Sequence, residues 1–152
     1  FLHQLEIRMK SIKLAIPFAL LLSVLSGEVL AGNTKMTITA TNNTTSTVTP
    51  SGASYAGTVF PNPAPLNAGL SQTYINTGLG NVTSFHIDYS NTAGKKCHFD
   101  AASYNQTTST SPCVYTKAAK STGSTFATCT ATVTSASTDP ANCAFSVNFK
   151  IQ

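Results

Sequence analysis

The sequence has no tryptophan, and beyond residue 31 it has neither arginine nor glutamate. The charged side chains of that part are six lysines and three aspartates, while serine and threonine supply most of the polar groups. Without arginine and glutamate, two good helix formers, a chain rich in β-branched threonine favours strands over helices. The absence of arginine and of a dense basic stripe argues against nucleic-acid binding.

Motifs typical of catalysis are also missing. The chain has no Cys-x-x-Cys pair and no glycine-rich phosphate loop. A pair of catalytic carboxylates would need two of the three aspartates. The segment 52–57 (GASYAG) is one residue too long for a nucleophile elbow. We therefore expect no enzymatic activity.

The longest apolar run is short and lies near the start of the chain. Residues 14–25 are apolar, follow the lysine-containing start at Met9, and precede Val29-Leu30-Ala31. This order is typical of a secretory signal peptide, which we predict for residues 9–31. The run is shorter than the roughly 20 residues that cross a bilayer, so no stable membrane span is expected after cleavage.

The predicted cleavage divides the chain into three parts. Residues 1–8 are interpreted as an upstream extension, residues 9–31 as the signal peptide and residues 32–152 as a single domain. An exported chain of this kind is expected in the periplasm or outside the cell. Its partner is expected to be an unknown protein or surface ligand.

The exported part contains four cysteines, an even number that predicts two disulfides in an oxidising compartment. If neighbouring strands pair locally, the simplest bonds are Cys97–Cys113 and Cys129–Cys143. Each would close a loop of roughly 15 residues and stabilise the fold by about 3 kcal/mol. A crossed pairing between two sheets remains open.

Alternation of apolar and polar residues is clearest at 35–41, 85–89, 97–101 and 145–151. Weaker strand patterns occupy segments 55–60, 72–75, 113–117 and 125–135, with turn residues about every eight to twelve positions. These patterns predict an all-β fold of about seven to eight short antiparallel strands. We expect an immunoglobulin-like β-sandwich.

Two of these strands form a predicted hairpin, 85–89 and 97–101, around a loop that contains Gly94. Its apolar residues must share one face, which places Tyr89 opposite Cys97. The other face then carries two cross-strand pairs, with Cβ atoms about 5 Å apart. The pairs are His86 with Asp100, and Asp88 with His98.

Two interpretations of this polar face remain open. Two imidazoles and two carboxylates could bind zinc or copper, with His86, Asp88, His98 and Asp100 as candidate ligands. The same groups could instead form charge-assisted pairs on a solvated sheet face. No other cofactor is expected.

The final residues, 144–152 (AFSVNFKIQ), resemble the terminal strand of chaperone–usher pilin subunits. Those subunits are incomplete immunoglobulin-like domains that are completed by the N-terminal strand of a neighbour. The resemblance implies that residues 35–41 act as the donor strand. The chain departs from that family in having no cysteine before Cys97.

Together these features predict an exported small β-sandwich that acts by binding or as a structural surface component. One alternative is a periplasmic metal-binding protein that uses the His/Asp hairpin cluster. The other is a pilus-like assembly subunit that exchanges strands.

Overall fold

The structure, a computed structural model, describes residues 34–106 and 112–152. The predicted signal peptide (9–31) and the upstream extension (1–8) lie outside the described residues. Every regular element in the described ranges is a β-strand. The strands are β1 (Lys35–Asn42), β2 (Thr49–Ala56), β3 (Thr58–Phe60), β4 (Ser71–Thr77), β5 (Val82–Ser90), β6 (Lys96–Asn105), β7 (Cys113–Ser121), β8 (Cys129–Ala136) and β9 (Phe145–Ile151).

The strands form two sheets that enclose one core. The five-stranded sheet has the order β3-β4-β1-β9-β8, and the four-stranded sheet has the order β2-β5-β6-β7. The predicted all-β sandwich is confirmed. Among the described strands, β1 and β9 pair in parallel and all other neighbours are antiparallel.

The described chain has nine strands rather than seven or eight because the predicted strand 55–60 is split at Gly57. At this glycine the chain leaves β2 in one sheet and enters β3 in the other. Gly57 has a φ of 119°, and an added Cβ would lie 2.4 Å from the carbonyl oxygen of Thr77. Only glycine fits this crossing without strain.

The core consists of alternate side chains from both sheets. Met36, Ile38 and Ala40 of β1 are buried because every second residue of the strand points inward. Aromatic rings span the gap between the sheets, and those of Phe99 and Phe149 stack with centroids 4.8 Å apart. Ring pairs of this kind add stability beyond the area that they bury.

Two disulfides connect Cys97 to Cys129 and Cys113 to Cys143. The prediction that all four cysteines pair is confirmed, but the local pairing is wrong and the crossed alternative is correct. In the antiparallel β6–β7 pair, Cys113 lies opposite Asn105, at the far end of β6 from Cys97. Cys97 therefore bonds across the core to β8, with its Cα 5.6 Å from that of Cys129.

No helix in residues 34–106 and 112–152 is long and apolar enough to cross a membrane. Two disulfides in a chain of this size are typical of periplasmic and extracellular proteins.

Candidate functional site

The β5–β6 hairpin has the register predicted from its alternation. Tyr89 pairs with Cys97, and both side chains are buried. His86 therefore pairs with Asp100, and Asp88 pairs with His98, on the opposite face of the sheet. The structure brings together all four candidate residues on the outer face of the four-stranded sheet.

Hydrogen bonds and ion pairs connect these residues into one chain. His86 Nδ1 lies 2.8 Å from Asp100 Oδ1, and Asp100 Oδ2 lies 2.9 Å from His98 Nε2. His98 Nδ1 in turn lies 2.8 Å from Asp88 Oδ1, while Lys96 Nζ donates to Asp88 Oδ2 at 2.8 Å. We refer to His86, Asp88, Lys96, His98 and Asp100 as the His/Asp face.

His98 occupies the centre of this chain because both of its ring nitrogens face carboxylate oxygens. Neutral imidazole carries one N–H donor and one acceptor, whereas imidazolium carries two donors. Since a carboxylate oxygen only accepts, each nitrogen of His98 needs a proton or a cation between it and the oxygen that it faces.

Asp88 is the least exposed carboxylate of the His/Asp face, with 16% of its side chain accessible. Burial alone would raise its pKa, but hydrogen bonds and charges from Lys96 and His98 outweigh burial and hold the pKa below its usual value. The β2 edge strand bulges beside it, where a Cβ on Gly52 would lie 3.5 Å from Asp88 Oδ2. Asp88 is thus an ionised group whose two oxygens are both engaged.

The donor atoms of His86, His98 and Asp100 all lie within 4.8 Å of one another, a spacing that one metal ion could bridge. Asp88 is not part of that group. The two imidazole rings approach edge to face, with centroids 4.4 Å apart. Of the four ligands predicted from the sequence, His86, His98 and Asp100 form the group that could bind a metal ion. The fourth, Asp88, contacts His98.

The surroundings leave this group accessible to solvent. Ala118 of β7 pairs with Asp100, and Ser54 of β2 pairs with His86, so small side chains flank it on both sides. His86 and Asp100 keep 35% and 44% of their side-chain surface exposed. An ion or a polar group could therefore approach from solvent without movement of the backbone.

Lys96 is the site residue that the sequence did not reveal, since the pair Lys95-Lys96 is typical of a solvated turn. In the structure Lys96 is the first residue of β6, and its ammonium group reaches across to Asp88 on β5. Its position two residues before His98 places it on the same face of the strand. The two-residue period of a β-strand could therefore have assigned Lys96 to the His/Asp face from the sequence alone.

Comparisons of the chain with protein-family models and with curated proteins found no match. Evidence for a functional site therefore comes from the geometry of the His/Asp face.

Proposed function

We propose that this protein is exported and acts by binding, without catalysis, through the His/Asp face. The observation that carries the proposal is the convergence of both histidines and two of the three aspartates beyond residue 33 on one open sheet face. Against the effect of burial, Lys96 and His98 lower the pKa of Asp88, which marks this cluster as a candidate functional site.

Export is supported by the predicted signal peptide at residues 9–31 and by the two disulfides. The immunoglobulin-like class belongs to the same proposal. Two sheets of mostly antiparallel strands, bridged by a disulfide through one core, are features that immunoglobulin domains share. The periplasm or the cell exterior is the proposed place of action.

Binding is favoured over catalysis by the contacts of the cluster. Within the described residues, the side-chain hydrogen bonds and ion pairs of the two histidines and the two aspartates are with one another and with Lys96, and no serine, threonine or cysteine side chain donates to them. Nucleophilic catalysis requires a nucleophile within hydrogen-bond reach of its base. The arrangement instead offers a fixed pattern of charges to a ligand.

Export is tested by expressing the full chain in a bacterial host and separating the cell fractions. We expect a product that begins at Gly32, is found outside the cytoplasm, and carries no free thiol by non-reducing mass spectrometry. An unprocessed product in the cytoplasm would contradict the proposal.

Use of the His/Asp face is tested by photo-crosslinking in the exporting cells. A crosslinker at Ala118, beside Asp100, should give adducts that disappear when His98→Ala and Asp100→Asn are combined. The matched control carries the crosslinker at Thr39 on the outer face of the other sheet. Equal adducts from both positions would place the binding surface elsewhere.

Assembly by strand exchange is a second candidate, favoured by the position of β1. This strand is the first described element, and it lies between β4 and β9 in the centre of its sheet. A strand in that position could complete the sheet of a neighbouring copy with the same contacts.

A further inference from the structure

We propose that His86, His98 and Asp100 bind one divalent transition-metal ion, zinc or copper, at the outer face of the four-stranded sheet. This inference deepens the proposed function, since it rests on the same His/Asp face and names the class of ligand. The geometric basis is the group of three donor atoms within 4.8 Å of one another.

The donor set suits these ions. Two imidazoles and one carboxylate are ligands that zinc and copper accept, whereas magnesium and calcium prefer oxygen donors only. Three protein ligands also leave a coordination position open to solvent or to a further ligand. The partial exposure of His86 and Asp100 leaves room for it.

The donor atoms of His98 and Asp100 require little movement to accept an ion between them. The donor atoms His98 Nε2 and Asp100 Oδ2 are 2.9 Å apart. Bonds of about 2.0 Å in a tetrahedral site place ligand atoms roughly 3.3 Å from each other. The hydrogen-bonded pair of His98 and Asp100 would thus open by roughly 0.4 Å as the ion replaces the bridging proton, which is released to solvent.

Asp88 and Lys96 act as positioning residues for this site. When Nε2 of His98 binds the ion, Nδ1–H still donates to Asp88 Oδ1 at the observed 2.8 Å. A carboxylate behind a ligating histidine fixes the tautomer and the ring orientation. Lys96 holds the other oxygen of Asp88, which keeps that carboxylate in place and out of the ligand set.

The site also depends on how the sheet is built. His98 and Asp100 are two residues apart on β6, so they project from the same face, and His86 pairs with Asp100 from β5. The buried disulfide at Cys97 anchors β6 directly before His98. The ligands are therefore carried by rigid strands rather than by a loop, which favours a defined geometry.

The test is calorimetric titration of the processed, oxidised and untagged protein with zinc or copper chloride after chelator treatment. We expect one ion per chain, with loss of binding in His98→Ala and in His86→Ala. Asp88→Asn should retain the stoichiometry but weaken the affinity by about 10- to 100-fold. The matched control, Asp139→Asn, removes the third aspartate beyond residue 31 and should bind as the parent protein does.

A spectroscopic measurement keeps the test independent of folding defects in the variants. In the parent protein, electron paramagnetic resonance of the copper-loaded form should show coupling to two imidazole nitrogens. NMR of the zinc-loaded form should shift the ring signals of His86 and His98, with His98 retaining its proton on Nδ1. Coupling to fewer than two imidazoles, or unshifted ring signals, would overturn the assignment.

Failure of this inference is distinguishable from failure of the proposed function. A processed, exported protein that takes up neither ion at micromolar concentrations refutes the metal site, while photo-crosslinking still tests binding by the same face. A metal-binding protein that is retained unprocessed in the cytoplasm refutes export but not the site. Binding that survives both histidine variants would refute the proposed ligands.

Discussion

At the scale of single residues, two buried hydroxyl groups meet between the sheets. Tyr74 of β4 and Tyr89 of β5 share a hydrogen bond, and Tyr74 also donates to Gln72. Burial raises the pKa of both phenols; for Tyr89 the hydrogen bond and the charge of Tyr74 add to that effect. The pair is therefore held in its neutral form by the folded state.

We predict that this pair makes the protein sensitive to alkali. The unfolded chain ionises its tyrosines near pH 10, before the folded protein does, so stability is complete below that pH and falls above it. Each such tyrosine lowers the free energy of unfolding by up to about 1.4 kcal/mol per pH unit in that range. Urea unfolding at a series of pH values measures the slope.

The double variant Tyr74→Phe/Tyr89→Phe should show a shallower alkaline decline than the parent protein. Tyr55→Phe is the matched control, because Tyr55 is 42% exposed and lies outside the hydroxyl pair. If the double variant and the control have the same slope as the parent, the buried pair does not govern alkaline stability.

Gly57 supports a second prediction at this scale. Gly57→Ala should lower the free energy of unfolding by more than about 1 kcal/mol, because its φ is positive and a Cβ there would meet the Thr77 carbonyl. Gly69→Ala is the control, since Gly69 has a φ of 75° but no atom within 4 Å of an added Cβ. Thermal unfolding of the two variants compares them directly. Equal losses would show that the backbone conformation matters and the contact with Thr77 does not.

At the scale of elements, β1 connects the two halves of the five-stranded sheet. It pairs with β4 on one side and with β9 on the other, and it buries Met36, Ile38 and Ala40. Removing it would leave two unpaired strand edges and an open core. Exposed edges of this kind invite pairing with another chain.

We predict that a chain lacking residues 32–41 does not form a stable monomer. It should regain its folded circular-dichroism spectrum when a synthetic peptide of residues 33–43 is added, because the peptide restores both strand pairings. A peptide in which Ile38 is replaced by Asp is the control, since it would bury a charge in the core. An equally stable, monomeric truncated protein would rule out strand donation by β1.

Elements with strict alternation were predictable from the sequence, and they include the candidate site. The pattern of β5 and β6 predicts their register, because a slip of one residue would bury His86, Asp88, His98 and Asp100. The cross-strand pairing of these side chains could be predicted from the local sequence of the hairpin alone. Lys96 was not identified because a lysine next to a turn is typical of a solvated position.

Elements that depend on distant partners could not be predicted. The predicted strand 55–60 does not reach Pro50, yet Pro50 lies within β2, which tolerates a missing N–H because it is an edge strand. The parallel pairing of β1 with β9 joins segments about a hundred residues apart, and no local pattern encodes it. The disulfide pairing likewise depends on where the chain crosses from β7 to β8.

At the scale of the whole molecule, the disulfides connect parts that the strand pairings leave separate. Cys97–Cys129 joins the two sheets, and Cys113–Cys143 joins the start of β7 to the segment that precedes β9. The bonded cysteines are 32 and 30 residues apart in sequence. In the chain-entropy model each closure destabilises the unfolded state by about 4 kcal/mol.

We predict that replacing Cys113 and Cys143 together by alanine lowers the free energy of unfolding by about 4 kcal/mol, and that the Cys97/Cys129 double variant loses more. The loops are of similar length, so the entropic losses should be similar. Cys97, however, belongs to the core cluster between the sheets and Cys129 packs against it, whereas Cys143 is buried outside that cluster and Cys113 is only partly buried. Truncating Cys97 and Cys129 to alanine therefore leaves a cavity in the core, and its cost adds to the loss of the loop constraint.

Urea unfolding of both double variants, each with its other disulfide verified by mass spectrometry, measures the difference. A larger loss for the Cys113/Cys143 variant would show that the link to β9, rather than the bond between the sheets, contributes more to the stability of the fold.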